Sequence, residues 1–194
     1  METIFGEHYE NILSFISVLE SEIGQMEIKL EAAYKTNIID HTMTRLKSEE
    51  SIIEKCSKKG IKPTPYNIIN YIHDTIGVRI ICTFIDDVYK VRDALRGLSI
   101  FKVVEERDYI YNAKPNGYRS YHMIVKNEDG YLAEIQIRTI SMDMWAALEH
   151  DIKYKKDIKG NKELITAELK RCADELASTD VSMQTIRNMI FGEL

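Results

Sequence analysis

Two short runs of alternating polar residues hold most of the chemistry in this chain. Tyr118, Ser120 and His122 recur at every second position, and Glu134, Gln136 and Arg138 do the same a little further on. On extended strands a period of two puts each trio on one face. Ala133, Ile135 and Ile137 then fall on the opposite face as a core stripe. Lys114-Pro-Asn-Gly117 leads into the first trio. Pro115 stiffens this loop, and Gly117 admits backbone angles that other residues avoid. Such a loop can set backbone N–H groups and the Lys114 ammonium against a phosphate, although Pro-Asn-Gly also makes an ordinary turn. An aromatic, a histidine, a carboxylate and an amide on one face suit a polyphosphate, a flat base and a metal ion held side by side. A merely solvated face more commonly carries Lys, Glu and Thr.

Two upstream segments add to this set. Arg45, Lys47, Lys55, Lys58 and Lys59 form a basic cluster, in which Ser51, Lys55 and Lys59 are spaced by four and share a helix face. A helix N-terminus with Lys47 and Ser51 beside it can take anionic phosphates. The neighbouring Glu49, Glu50 and Glu54 fit a plain solvated face equally well. Asp74-Thr-Ile-Gly-Val-Arg79 joins a helix to an apolar strand. A guanidinium in such a strand is costly without a carboxylate, a phosphate or a stacking surface, so Arg79 requires one. Asp74 and Glu134 could share a divalent cation if the fold brings them together, because Mg²⁺ often takes only one or two carboxylates and fills its shell with phosphate and water. A structural salt bridge is the alternative for each.

These residues need strands and helices to hold them. The apolar and β-branched runs predict five strands: Ile38–Thr44, Gly77–Phe84, Phe101–Arg107, Tyr118–Lys126 and Tyr131–Arg138, with a turn at Asn127-Glu-Asp-Gly130. Helices are expected at Ser48–Lys59 (ended by Gly60), at Tyr66–Ile72, from an Asp86 or Asp87 cap to Leu98, at Ser141–Lys156 and at Lys162–Phe191. Phe5, Tyr9, Ile12, Ile16, Leu19, Ile23, Met26, Leu30 and Ala33 form a heptad seam in a first long helix, which would lie either on this chain's own core or on a partner helix. The expected class is mixed α/β, a five-stranded mixed sheet flanked by helices, with helical arms at both ends.

Bulk properties narrow the field. The 194 residues carry a net charge of −5, so nucleic acid gains no general electrostatic attraction. No apolar run is long enough to span a membrane, and the N-terminus lacks a signal-peptide pattern. Cys56, Cys82 and Cys172 are scattered and odd in number, as in a chain of a reducing cytoplasm.

Arg45-Leu-Lys47, Ser51, Lys55, Asp74 to Arg79, Asp108 to His122, Glu134-Ile-Gln-Ile-Arg-Thr139 and Trp145-Ala-Ala-Leu-Glu-His150, in that order, resemble the synthetase domain of RelA/SpoT-type alarmone synthetases, above all the small stand-alone enzymes of the RelQ and RelP kind. The resemblance spans about residues 38 to 155. It implies transfer of the β,γ-pyrophosphate of ATP to the 3′-hydroxyl of GDP or GTP, giving ppGpp or pppGpp and AMP. It implies Arg45 and Arg79 on adenine, and Lys47, Ser51, Lys55 and Lys59 (with Lys58) on the ATP phosphates. Asp74 and Glu134 would bind Mg²⁺, with Glu134 also activating the hydroxyl. Tyr118 would stack on guanine, with Arg107, Lys114, Asn116, Ser120, His122 and Gln136 around the acceptor and Arg138 and His150 in support. It further implies a cytoplasmic homotetramer, pppGpp or RNA as effectors, and a division into an arm (1–36), a synthetase domain (37–157) and a C-terminal oligomerisation arm (158–194). His73-Asp74 looks like the His-Asp pair of the family's hydrolase domain but has no ligand set around it, so synthesis without hydrolysis is expected. Two other readings compete: a toxic relative that modifies tRNA or adenosine nucleotides, and a nucleotide- or RNA-binding module without turnover.

Overall fold

In the computed structural model, which describes residues 3–154 and 160–192, the strands are β1 (Ile39–Leu46), β2 (Ile76–Cys82), β3 (Lys102–Asp108), β4 (Tyr121–Lys126) and β5 (Leu132–Thr139). The helices are α1 (Tyr9–Tyr34), α2 (Glu49–Lys58), α3 (Pro65–Tyr71), α4 (Ile85–Arg96), α5 (Ile140–Tyr154) and α6 (Lys162–Phe191), with a short 3₁₀ turn at Gly6–His8 before α1. The strands form one sheet in the order β1-β2-β5-β4-β3. Only β2 and β5 run parallel; the other three pairings are antiparallel. The mixed five-stranded sheet is as expected. The expected helix end at Lys156 and the expected boundary at 157/158 lie outside the described residues.

The alternation in β5 has the predicted result. Ala133, Ile135 and Ile137 are fully buried and meet Val78 and Ile80 of β2 and Met123 and Val125 of β4 in one core. Each fully buried aliphatic side chain there contributes about 1.5–3 kcal/mol. Ile12, Leu19, Ile23 and Met26 of α1 bury their seam in the same core, joined by Phe15, so the first long helix lies on its own chain. Among the strands, β2 ends at Cys82 and Phe84 becomes the N-cap of α4. Asp86 and Asp87 are therefore first-turn residues and not the cap. Asp87 is fully buried, and Lys90 (2.9 Å) and Arg187 of α6 (3.0 Å) pair with it. It became a docking point for α6 because a buried carboxylate needs cations more than a helix end needs a side-chain cap. β4 begins at Tyr121, so Tyr118 and Ser120 form an extended lead-in, tied by the Tyr109 N–H to the Ser120 carbonyl at 3.0 Å.

Register across the sheet sets out the polar face. Arg45, Gly77, Glu134, Ile124 and Glu105 are successive partners from β1 to β3. The neighbouring row, displaced by two residues on each strand, is Met43, Arg79, Gln136, His122 and Arg107. Helix α5 lies beside this face, and α6 packs on α5 and α4.

Candidate active site

Two carboxylates stand where two cavities meet. Asp74 precedes β2, and Glu134 lies opposite Gly77 on the adjacent parallel strand. The first cavity, of about 350 Å³, is lined by Arg45, Gly77, Arg79 and Gln136 together with both acids. The second, of about 200 Å³, is lined by Lys55, Lys59, His73, Arg107 and His122 together with the same two acids. A third, open cleft of about 840 Å³ runs past Arg45, Lys47, Ser51, Lys55, Lys58 and His150. Arg45 borders the first and third cavities, and Lys55 the second and third.

Asp74 is gripped by the Lys47 and Lys55 ammoniums, each at 2.6 Å. Burial alone would raise its pKa, but these two cations outweigh burial and hold it below the usual carboxylate range. Glu134 is also largely buried, which raises its pKa, and the His122 and Gln136 hydrogen bonds reverse that. The charge of Asp74 opposes the lowering, so the two acids feel one another. Both are ionised at neutral pH.

A closed ring of hydrogen bonds surrounds Glu134. Arg138 donates to Tyr118 Oη (2.6 Å), and with the His122 proton on Nδ1 the tyrosine hydroxyl donates to His122 Nε2 (2.7 Å). His122 Nδ1 then donates to Glu134 Oε1 (3.2 Å), Gln136 donates to Glu134 Oε2 (2.8 Å), and Arg138 donates to Gln136 Oε1 (2.7 Å). Such a ring holds the carboxylate in one orientation. Tyr118 sits edge-on to Tyr109, His122 and Trp145, with the Lys114 ammonium 4.7 Å from its ring centre. Gly117 adopts φ +92, and its turn rests on α6 beside Ala173 and Lys170.

Several residues stand elsewhere than expected. Ser120 has no exposed surface; it accepts a hydrogen bond from Arg138 and donates to the Ile137 carbonyl. Asn116 is committed to the loop, donating to Glu149 and accepting from the Tyr118 N–H. Lys59 follows the end of α2, donates to the Tyr71 carbonyl and lines the second cavity, away from Lys47 and Ser51. Gln136 lines the cavity of Arg45 and Arg79. Arg107 borders the second cavity but is tied to Glu105. His150 borders the open cleft.

Asp143, in the first turn of α5, was not foreseen. Its Oδ1 takes an ion pair from Arg79 NH1 (3.1 Å) and another from Arg138 NH1 (2.9 Å). Two strand arginines in apolar surroundings were the signal that an acid had to be near them. Among the described residues no group of three or more His, Cys, Asp or Glu side chains could hold a metal ion. Two ionised carboxylates fit a hard cation that keeps phosphate and water in its shell.

Residues 44–159 match the region found in RelA/SpoT proteins. GTP pyrophosphokinase YwaC of Bacillus subtilis (strain 168) is 40% identical over 200 residues, covering 98% of this chain and 95% of its own. The crystal structure of small alarmone synthetase 2 from Bacillus subtilis superposes with a TM-score of 0.78 at 38% identity, covering 91% of this chain and 95% of the other. Small alarmone synthetase 1 of the same organism, bound to its product pppGpp, gives a TM-score of 0.79 at 33% identity over 95% of this chain and 98% of its own. The family match over residues 44–159 and the likeness over nearly the whole length agree, and the chain belongs to the RelA/SpoT family.

Proposed function

We propose that this protein is a (p)ppGpp synthetase that moves the β,γ-pyrophosphate of ATP to the 3′-hydroxyl of GDP or GTP. One observation carries the reading: Asp74 and Glu134 border both the Arg45/Arg79 cavity and the Arg107/His122 cavity. A reaction between two nucleotides requires the catalytic acids to lie between them.

Arg45 and Arg79 offer guanidinium planes to adenine. Lys47, Ser51, Lys55 and Lys58 line the open cleft that would take the phosphates. Lys59, Arg107 and His122 supply cations and a donor on the other side, where the acceptor's phosphates would lie. Tyr118, with Lys114 over its face, gives guanine a flat partner. Glu134 is ionised and oriented by its ring, so it can accept the proton of the 3′-hydroxyl. The freed oxygen bonds to Pβ as the Pβ–O bond to the α-phosphate breaks, and AMP leaves with that bridging oxygen. Mg²⁺ would be held by Asp74 and Glu134 and would neutralise charge on the transferred phosphates. Lys47 and Lys55, which meet Asp74 directly, would then have phosphate oxygens as partners.

The reading includes assembly and place. Met183, Ile186 and Ile190 form an exposed apolar stripe on α6, which suits a homotetramer, with pppGpp or RNA as candidate effectors. Among the described residues no helix is long and apolar enough to cross a membrane, which fits a cytoplasmic enzyme.

The test is direct. Purified protein is incubated with γ-labelled ATP, Mg²⁺ and GDP, GTP, ADP or tRNA, and the products are chromatographed. Label on a guanosine nucleotide is expected. Label on ADP or tRNA alone, or on nothing, would overturn the proposal.

A further inference from the structure

Asp143 spans the two halves of the site through one atom. Its Oδ1 meets both Arg79, on the Arg45 side, and Arg138, whose second terminal nitrogen holds the Tyr118 hydroxyl at 2.6 Å. Asp143 belongs to α5, whereas Arg79 and Arg138 are on adjacent parallel strands. Arg138 is almost fully buried, and its nitrogens donate to Ser120, Asp143, Tyr118 and Gln136. It therefore has little freedom to move alone. Arg79 is less constrained. Its Nε is buried with no hydrogen-bond partner, and burial and the charge of Arg138 push the group below the usual guanidinium range, with Asp143 opposing them. A guanidinium in this position settles when a ligand takes up its face, and any shift is felt at the shared oxygen.

We infer that Asp143 is a positioning residue that couples the two nucleotide sites, through the contact path Arg79–Asp143–Arg138–Tyr118. The inference rests on the proposed roles of Arg79 at adenine and Tyr118 at guanine. A nucleotide on Arg79 fixes that guanidinium against Asp143, which fixes Arg138 and so the Tyr118 ring. By linkage, an acceptor on Tyr118 strengthens ATP binding by the same factor. The Glu134 ring shares Arg138 and Tyr118 with this path, so a nucleotide at either end bears on the carboxylate that transfer uses.

The test uses the full chain with Mg²⁺ and α,β-methylene ATP, which is not cleaved at the transferred bond. Its dissociation constant is measured by calorimetry with and without saturating GDP. In the parent protein GDP should tighten binding about fivefold or more. Asp143→Asn should bring that ratio close to one. Tyr118→Phe, which keeps the ring and deletes the hydroxyl, should do the same even if Asp143→Asn unfolds. The double variant should lose no more coupling than either single variant, as expected for one path. An unchanged ratio in both single variants, or no tightening in the parent protein, overturns the inference while leaving pyrophosphate transfer to GDP intact. Absence of that transfer would instead remove the underlying reading, and this one with it.

Discussion

At the scale of single residues, the site depends on keeping two carboxylates charged in a partly buried place. Lys47 and Lys55 do this for Asp74, and His122 and Gln136 for Glu134. Glu134→Gln keeps shape and removes both the proposed base and a proposed Mg²⁺ ligand. It should cut kcat by roughly 10²–10⁴-fold, with the thermal unfolding curve unchanged, in steady-state assays with GDP. Activity near that of the parent protein would take Glu134 out of the catalytic step. Tyr118→Ala removes the acceptor platform and should raise KM for GDP more than KM for ATP. Equal increases would dissociate the ring from guanine. The alternation of Glu134, Gln136 and Arg138 was legible in the sequence because strand geometry has a fixed period. Asp143 was not, since an acid in a helix gives no sign of which strand cations it will meet.

At the scale of elements, the Lys114–Gly117 loop is held against α6. A methyl group on Gly117 would come within 2.6 Å of the Ala173 side chain, at φ +92 where an L-residue is strained already. Gly117→Ala should destabilise the protein by about 1–3 kcal/mol and raise KM for GDP, read by thermal unfolding and by kinetics. An unaltered KM would mean that the loop does not need its seat on α6. A second element contact has a pH signature. Arg96 grips Glu106 through Nε and one terminal nitrogen and holds its carboxyl below the usual range. A depressed carboxylate stabilises the fold above its unfolded pKa of about 4.3, and the gain is lost as pH falls through the folded value. Glu106→Gln should therefore melt below the parent protein at pH 7, by under about 1 kcal/mol for so exposed a pair, and the gap should close in acid. A gap that persists in acid would refute the ion pair as its cause. Element types and most boundaries were readable from periodicity and from Gly and Pro positions. The α4 cap was misread because Asp87 is used by Arg187, a hundred residues away in sequence.

At the scale of the whole molecule, α6 presents two different faces. Gln184 and Arg187 bind it to α4, while Met183, Ile186 and Ile190 point away, exposed. Ile186→Asp with Ile190→Asp should convert the proposed homotetramer to smaller species in light scattering, with the monomer still folded because neither side chain is in the core. An unaltered mass would place the assembly surface elsewhere. The seam of α1 allowed a partner helix on sequence grounds. The structure buries it on the chain's own sheet, which takes up its Ile12, Leu19, Ile23 and Met26.

The sequence by itself determined which residues could carry chemistry, the alternation of Glu134, Gln136 and Arg138 along one strand, and the class of fold, because these follow from side-chain type and from local periods. Only the tertiary structure decided that Asp74 and Glu134 share a cleft, because that depends on β2 and β5 pairing in parallel with Gly77 opposite Glu134. The same holds for Asp143 between two arginines and for the burial of Ser120 against Arg138: strand register and helix docking are set by the summed burial of distant apolar residues, which no local pattern records.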